Sequence, residues 1–164
     1  QQKVEPVVLR DLLQQLQQRA ETLMTTHDAV FTVDVPKQDV NLLANSEALT
    51  SALMNLLENA IQAGGKQLLL TVEPEAEQVM IRLVDNGKGI TREQLARIFE
   101  PFYTTRSSGT GLGLAVVQAV VQAHQGTIQA SSLPGEGSCF SIRLPYHHVQ
   151  LQQVQLQHVQ EGAA

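Results

Sequence analysis

A single cysteine, Cys139, is all the thiol chemistry that the 164 residues contain. One thiol excludes an internal disulfide framework and a Cys-only zinc site, and its apolar surroundings suit a small buried side chain in a reducing, cytoplasmic setting. Basic charge is scarce too: 11 Lys and Arg stand against 16 Asp and Glu, a formal net charge of -5. Without a basic stripe to follow a phosphate backbone, nucleic acid is not an expected partner. Long apolar runs are missing, as is a charged-then-apolar leader, so this portion is expected to be soluble and to make no membrane contact. A first residue of Gln1 rather than Met points to a domain of a longer protein, whose other parts could still span a membrane.

What is present fits one globular unit, with 43% hydrophobic residues and a length sufficient to bury a core without staples. Leu9, Leu12, Leu13, Leu16, Ala20, Leu23 and Met24 recur at helical spacing and predict a first helix over 8–25. Strands are expected at 29–35 and 40–44. Asn45-Ser46-Glu47 then reads as the start of a second helix, stopped near Gly64-Gly65. Alternating apolar residues predict strands at 67–73 and 79–85 around a hairpin-like connection at 74–77. Thr91 is the expected cap of a short helix over 91–99, and 112–124 a further apolar helix. A terminal strand pair, 127–131 and 138–144, flanks the turn 133–137. Helices and strands in this order imply an α+β two-layer sandwich, a mixed sheet covered on one face by about three helices. The domain is expected to span 1–145, followed by a Gln-rich tail, 146–164, whose apolar residues follow neither period.

Three short elements carry the chemistry. NLLENA (55–60) places Asn55 and Asn59 four apart on the second helix, with Glu58 beside them. Two amide oxygens on one face can serve a hard cation such as magnesium next to substrate phosphates, although the same pair also suits a solvated helix face. DNGKGI (85–90) follows an apolar strand and fixes Asp85 at its end. A carboxylate there can accept from an exocyclic amino group in a charge-assisted bond of about 1.5–3 kcal/mol, while Gly87 and Gly89 permit positive φ or close approach of a flat ligand. A tight Asp-Asn-Gly turn is the alternative for that hexapeptide. GTGLGL (109–114) opens a helix whose first N–H groups can converge on an anion. It is neither a Walker motif nor a dinucleotide fingerprint, and packing glycines would explain it equally well in isolation.

In that order the elements resemble the catalytic, ATP-binding domain of bacterial sensor histidine kinases. That domain shares its Bergerat fold with gyrase, the large heat-shock chaperones and the MutL-type mismatch-repair ATPase. The likeness runs from about Val4 to Pro145. NLLENA is similar to the N box, DNGKGI to the first glycine box, Phe99-Glu100-Pro101-Phe102 to the F box, and GTGLGL to the second glycine box. GEGSCF (135–140) resembles the closing motif in which a hydroxyl, here Ser138, helps fix adenine through a water. His124-Gln125-Gly126 resembles the His-x-Gly that leads into the penultimate strand, where its role is structural.

The resemblance implies ATP and Mg2+ as ligands. Asn59 would be the main magnesium ligand with Asn55 assisting, and Asp85 would recognise the adenine amino group. Gly87 and Gly89 would line the base, with Ile90, Phe102, Leu114 and Phe140 as apolar walls. The stretch 101–109 would be the ATP lid, of the short nitrogen-regulation type marked by Thr104-Thr105-Arg106, with Arg106 reaching the γ-phosphate. Gly109, Thr110, Gly111, Leu112 and Gly113 would cradle the phosphates. Relatives that activate water carry a carboxylate at the first N-box position; Asn55 stands there, and Glu58 is three residues away, near the site but not the primary base.

No His-Glu or His-Asp acceptor motif accompanies His27, His124, His147, His148 or His158. The expectation is therefore half of a two-part kinase. This chain would pass the γ-phosphoryl group to a histidine on a separate dimerisation domain, and the full-length kinase would then serve a response regulator. Alone, the fragment is expected to be monomeric. An anti-sigma-type serine kinase and a nucleotide-binding module without transfer activity are the alternatives.

Overall fold

Strand β4 (Gln67–Pro74) shows how the sheet is built: Leu68, Leu70 and Val72 are buried, and the residues between them face outward. That period of two recurs in β5 (Gln78–Asp85), where Val79, Ile81, Leu83 and Asp85 point inward, and in β7 (Gly137–Pro145) with Ser138, Phe140, Ile142 and Leu144. The computed structural model describes residues 4–103 and 113–145. Its remaining strands are β1 (Glu5–Val8), β2 (Val30–Asp34), β3 (Asn41–Ala44) and β6 (Thr127–Leu133), and its helices are α1 (Leu9–Thr26), α2 (Ser46–Gln62), α3 (Arg92–Leu95) and α4 (Gly113–Ala123).

Five strands form the main sheet in the order β2-β4-β5-β7-β6. β2 and β4 are parallel and the other neighbours antiparallel, so the sheet is mixed as expected. Helices α1 and α2 and the buried side of α4 supply Leu12, Leu16, Leu49, Leu53, Leu56, Val117 and Val121 to the core against one sheet face. Among the described residues no helix covers the other face, where Leu69 and Val84 on adjacent strands are 40% and 39% exposed. A mostly antiparallel sheet of this kind tolerates one solvated side.

Two details depart from the sequence reading. β1, which no pattern announced, pairs with β3 in a separate two-stranded sheet, so 40–44 belongs outside the main sheet. The helix expected over 91–99 is α-helical only at Arg92–Leu95, and turns carry the chain onward from there. Its start is as expected: the Thr91 hydroxyl accepts from Gln94 N, and the Gln94 side chain accepts from Thr91 N, each at 3.2 Å. The tail at 146–164, with His147, His148 and His158, lies outside the described residues. Among the described residues no helix is long and apolar enough to cross a membrane.

Candidate nucleotide-binding site

Helix α2 begins at Asn45, whose side-chain oxygen accepts from Ala48 N at 3.0 Å. This cap and the buried stripe Leu49, Leu53, Leu56, Leu57 and Ala60 fix how the helix is rotated. Asn55 and Asn59 fall beside that stripe and are half-buried, whereas Glu58 is fully on the exposed side. The amide pair thus shares one face at the helix's sheltered edge, and Glu58 does not join it.

Asp85 ends β5 on the inward face and is only 4% exposed. Its Oδ1 accepts from Gly87 N at 2.8 Å. Burial pushes the carboxyl up from the ordinary aspartate range, against the opposing pull of backbone hydrogen bonds from Gly87 and Ser138. A carboxylate held this way has lost most of its water and can still accept from a donor such as an amino group.

Two glycines hold the chain close to this carboxylate. At Gly87 a Cβ would sit 2.6 Å from the Ala63 carbonyl oxygen, where α2 ends. The constraint is therefore the end of the helix, and not only a ligand. Gly137 has φ +93° and any Cβ would strike the Asp85 carbonyl oxygen. Gly89 takes the positive φ expected of it, at +78°.

A hydroxyl network that no motif announced lies next to Asp85 at the β6–β7 turn. Ser132 Oγ accepts from Ile90 N at 2.7 Å and donates to Gly137 O at 2.7 Å. Its single proton is thereby used, so Ser138 Oγ, 3.0 Å away, donates to Ser132 and keeps its lone pairs for another partner. Ser138 is itself 6% exposed. The register opposes Ser132 to Ser138 across β6 and β7, and the even-numbered positions of β6 point inward; that parity was the available signal. Asn86 was also missed: its Oδ1 accepts from Lys66 N and Gln67 N at 2.7 and 2.9 Å, which fixes the start of β4 beside the site.

The expected apolar walls divide. Ile90 and Leu114 are partly buried and pack on the core. Phe140 is a core residue, 2% exposed, with its ring 6.4 Å from Phe99 at 85°, so it backs the site from within the sheet and is not an open wall. Phe102 is 75% exposed at φ +68°, outside the core. Beside it Tyr103 packs on the core, and Arg97, paired with Glu100 at 3.1 Å, lies 4.5 Å over the Tyr103 ring. Gly113 is exposed at the start of α4. Thr104, Thr105, Arg106, Gly109, Thr110, Gly111 and Leu112 lie outside the described residues.

Residues 44–148 match the family model described as histidine kinase-, DNA gyrase B-, and HSP90-like ATPase. The chain belongs to this family. The sensor histidine kinase ZraS of Salmonella typhi is 47% identical over 105 residues, which are 62% of this chain and 23% of that protein. The chain spans about a quarter or less of the length of the curated relatives it matches. Among solved structures, the catalytic domain of histidine kinase ThkA superposes with a TM-score of 0.79 at 26% identity, covering 88% of this chain and 96% of that one. Full-length ShkA in complex with AMPPNP gives 0.78 at 27% identity, over 89% of this chain and 32% of that one. The mixed sheet with helices on one face is accordingly the ATPase fold of these kinases, as the motif order implied.

Proposed function

We propose that this chain binds Mg-ATP and donates the γ-phosphoryl group to a histidine on a separate dimerisation domain of the same sensor kinase. The observation that carries the base end is the buried Asp85 carboxylate, desolvated at the end of β5 and held by backbone hydrogen bonds from Gly87 and Ser138. That arrangement suits the amino group of adenine, with Ser138 and its free lone pairs beside it. The complex of ShkA with AMPPNP supports an adenine nucleotide as the ligand.

At the phosphate end the donor set is two half-buried amides one turn apart, and among the described residues neither has a side-chain hydrogen bond. Neutral oxygens of this kind fit magnesium beside a triphosphate, and the residues that would hold it are Asn59 and Asn55. When bound, the ion neutralises charge on the phosphate oxygens. The N–H groups opening α4 orient the phosphates, and Arg106, outside the described residues, is the candidate for the γ-phosphate. An imidazole nitrogen from the separate domain attacks the γ-phosphorus in line; the bond to the β–γ bridging oxygen breaks, and ADP leaves.

Asn rather than a carboxylate at position 55 favours transfer over hydrolysis, because an amide there cannot take a proton from water. Downstream, the phosphohistidine would serve a response regulator, and the setting would be cytoplasmic. Mixing the chain with a separately made histidine-bearing dimerisation domain and labelled ATP should produce acid-labile phosphate on that domain. Acid-stable phosphate on a protein serine would favour the serine kinase, and phosphate release at the rate of a true ATPase would overturn the transfer reading.

A further inference from the structure

His124 follows the last turn of α4 and is half-buried, and both of its ring nitrogens are engaged. Nδ1 lies 2.8 Å from Val120 O, an acceptor, so Nδ1 carries the proton. Nε2 is then the unprotonated nitrogen, and it accepts from Asn45 N at 3.0 Å. Asn45 is the N-cap of α2, and its own side chain is already committed to Ala48 N. The imidazole thus bolts the first residue of the amide-bearing helix to the end of the helix that begins in the glycine motif. The turn beyond it is also fixed: Gln125 sits at φ +61°, and Gly126 is so close to the Arg143 carbonyl that a Cβ would clash.

We propose that His124 sets the register between α2 and α4 and so is a positioning residue for the phosphate end of the nucleotide. The proposal rests on the nucleotide reading above. The two helices pack on each other through a side of α4 that buries Val117 and Val121. Being joined at the start of one and the end of the other, they run antiparallel. At a rise of 1.5 Å per residue, Asn55 and Asn59 lie about 15 and 21 Å along α2 from the bolt, and Gly113 lies about 16 Å along α4. The bolt therefore brings the amide pair level with the helix start that faces the phosphates. A slip of one residue would shift α4 by about 1.5 Å and turn it by about 100°, well beyond the tolerance of a phosphate cradle. The base end is built from β5, β6 and β7 and meets α2 at its other end, at Ala63, far along the helix from this contact.

The test is the affinity of the chain for a non-hydrolysable ATP analogue with Mg2+, divided by its affinity for adenosine. His124→Phe keeps ring volume and removes both nitrogens. It should lower the analogue affinity roughly five- to tenfold, the effect of one hydrogen bond, and leave adenosine within about twofold. His124→Gln, which retains one acceptor and one donor, should recover part of the ratio. A folded Phe variant with reduced thermal stability and an unchanged ratio would overturn the proposal and leave the pocket assignment standing. Wild-type chain that binds neither ligand would overturn the nucleotide reading, and the proposal with it. If the Phe variant does not fold, hydrogen exchange of the wild-type Asn45 amide decides: protection matching the α2 core is expected, and exchange as free as an exposed amide overturns it.

Discussion

Asp85 and Ser138 stand directly opposite each other in the β5–β7 ladder, and both are buried. Two polar side chains face inward from neighbouring strands at the end of an otherwise apolar sheet face, where the proposed base site would begin. Desolvation raises the Asp85 pKa, so the ionised carboxylate is a cost to the unliganded fold and an asset to the liganded one.

Asp85→Asn should separate those two effects. The amide carries no charge to desolvate, so the unliganded variant should melt at a higher temperature than wild type at pH 7. Its affinity for a fluorescent ADP analogue should fall by roughly ten- to a hundredfold, the loss of a charge-assisted bond. Unchanged binding would refute the assignment of Asp85 to the base.

The same group sets a pH dependence with a defined sign. Below the unfolded aspartate value of about 3.9 both states are protonated and Asp85 carries no penalty. As pH rises from there through the raised folded value, the unfolded state releases its proton first and stability is lost. Urea unfolding of wild type and Asp85→Asn across pH should show their difference opening over that window and flat above it. Nucleotide affinity should fall as pH drops through the same raised value, because a protonated Asp85 no longer accepts with charge.

Asn59→Ala should leave thermal stability within about 0.5 kcal/mol, since the side chain is half-buried and makes no hydrogen bond among the described residues. Binding of the ATP analogue should lose at least about tenfold of its magnesium dependence, the lower range for disturbed metal sites. Titration with and without Mg2+ measures this directly, and adenosine binding serves as the internal control.

Ser132→Ala should cost about 1–3 kcal/mol of stability, because the Ile90 N–H and the Ser138 hydroxyl both lose their partner inside the fold. The network also shapes the base site, so adenosine affinity should drop together with the melting temperature. A variant as stable as wild type would show that water replaces the hydroxyl.

Much of this site was legible in the residues, and the reasons are local. Asn45 and Thr91 announced helix starts because their short polar side chains satisfy first-turn N–H groups, and both do so here. Asp85 was legible because it follows Val79, Ile81 and Leu83 at a spacing of two along β5, which put it on the inward face. Ser132 was not, since its role comes from a partner six residues away across a turn and from parity within β6. β1 was hidden for a related reason: four residues, Glu5–Val8, have no periodicity of their own and become a strand only against β3. Phe140 was legible as an inward-facing apolar residue of the closing motif, but its edge-on contact with Phe99, forty-one residues earlier, was not.

The order β2-β4-β5-β7-β6 places the last described strand in the interior of the sheet and not at its margin. During synthesis Asp85 is made long before Ser138, and until β7 slots between β5 and β6 the carboxylate sits on a bare strand edge. The amide-bearing helix can form early from local contacts, but the base site must wait for a closure spanning more than fifty residues. A ribosome-bound chain stalled before Gly137 should therefore hold the amide helix and have no adenine site at all, which makes nucleotide binding a report that the final strand has gone home.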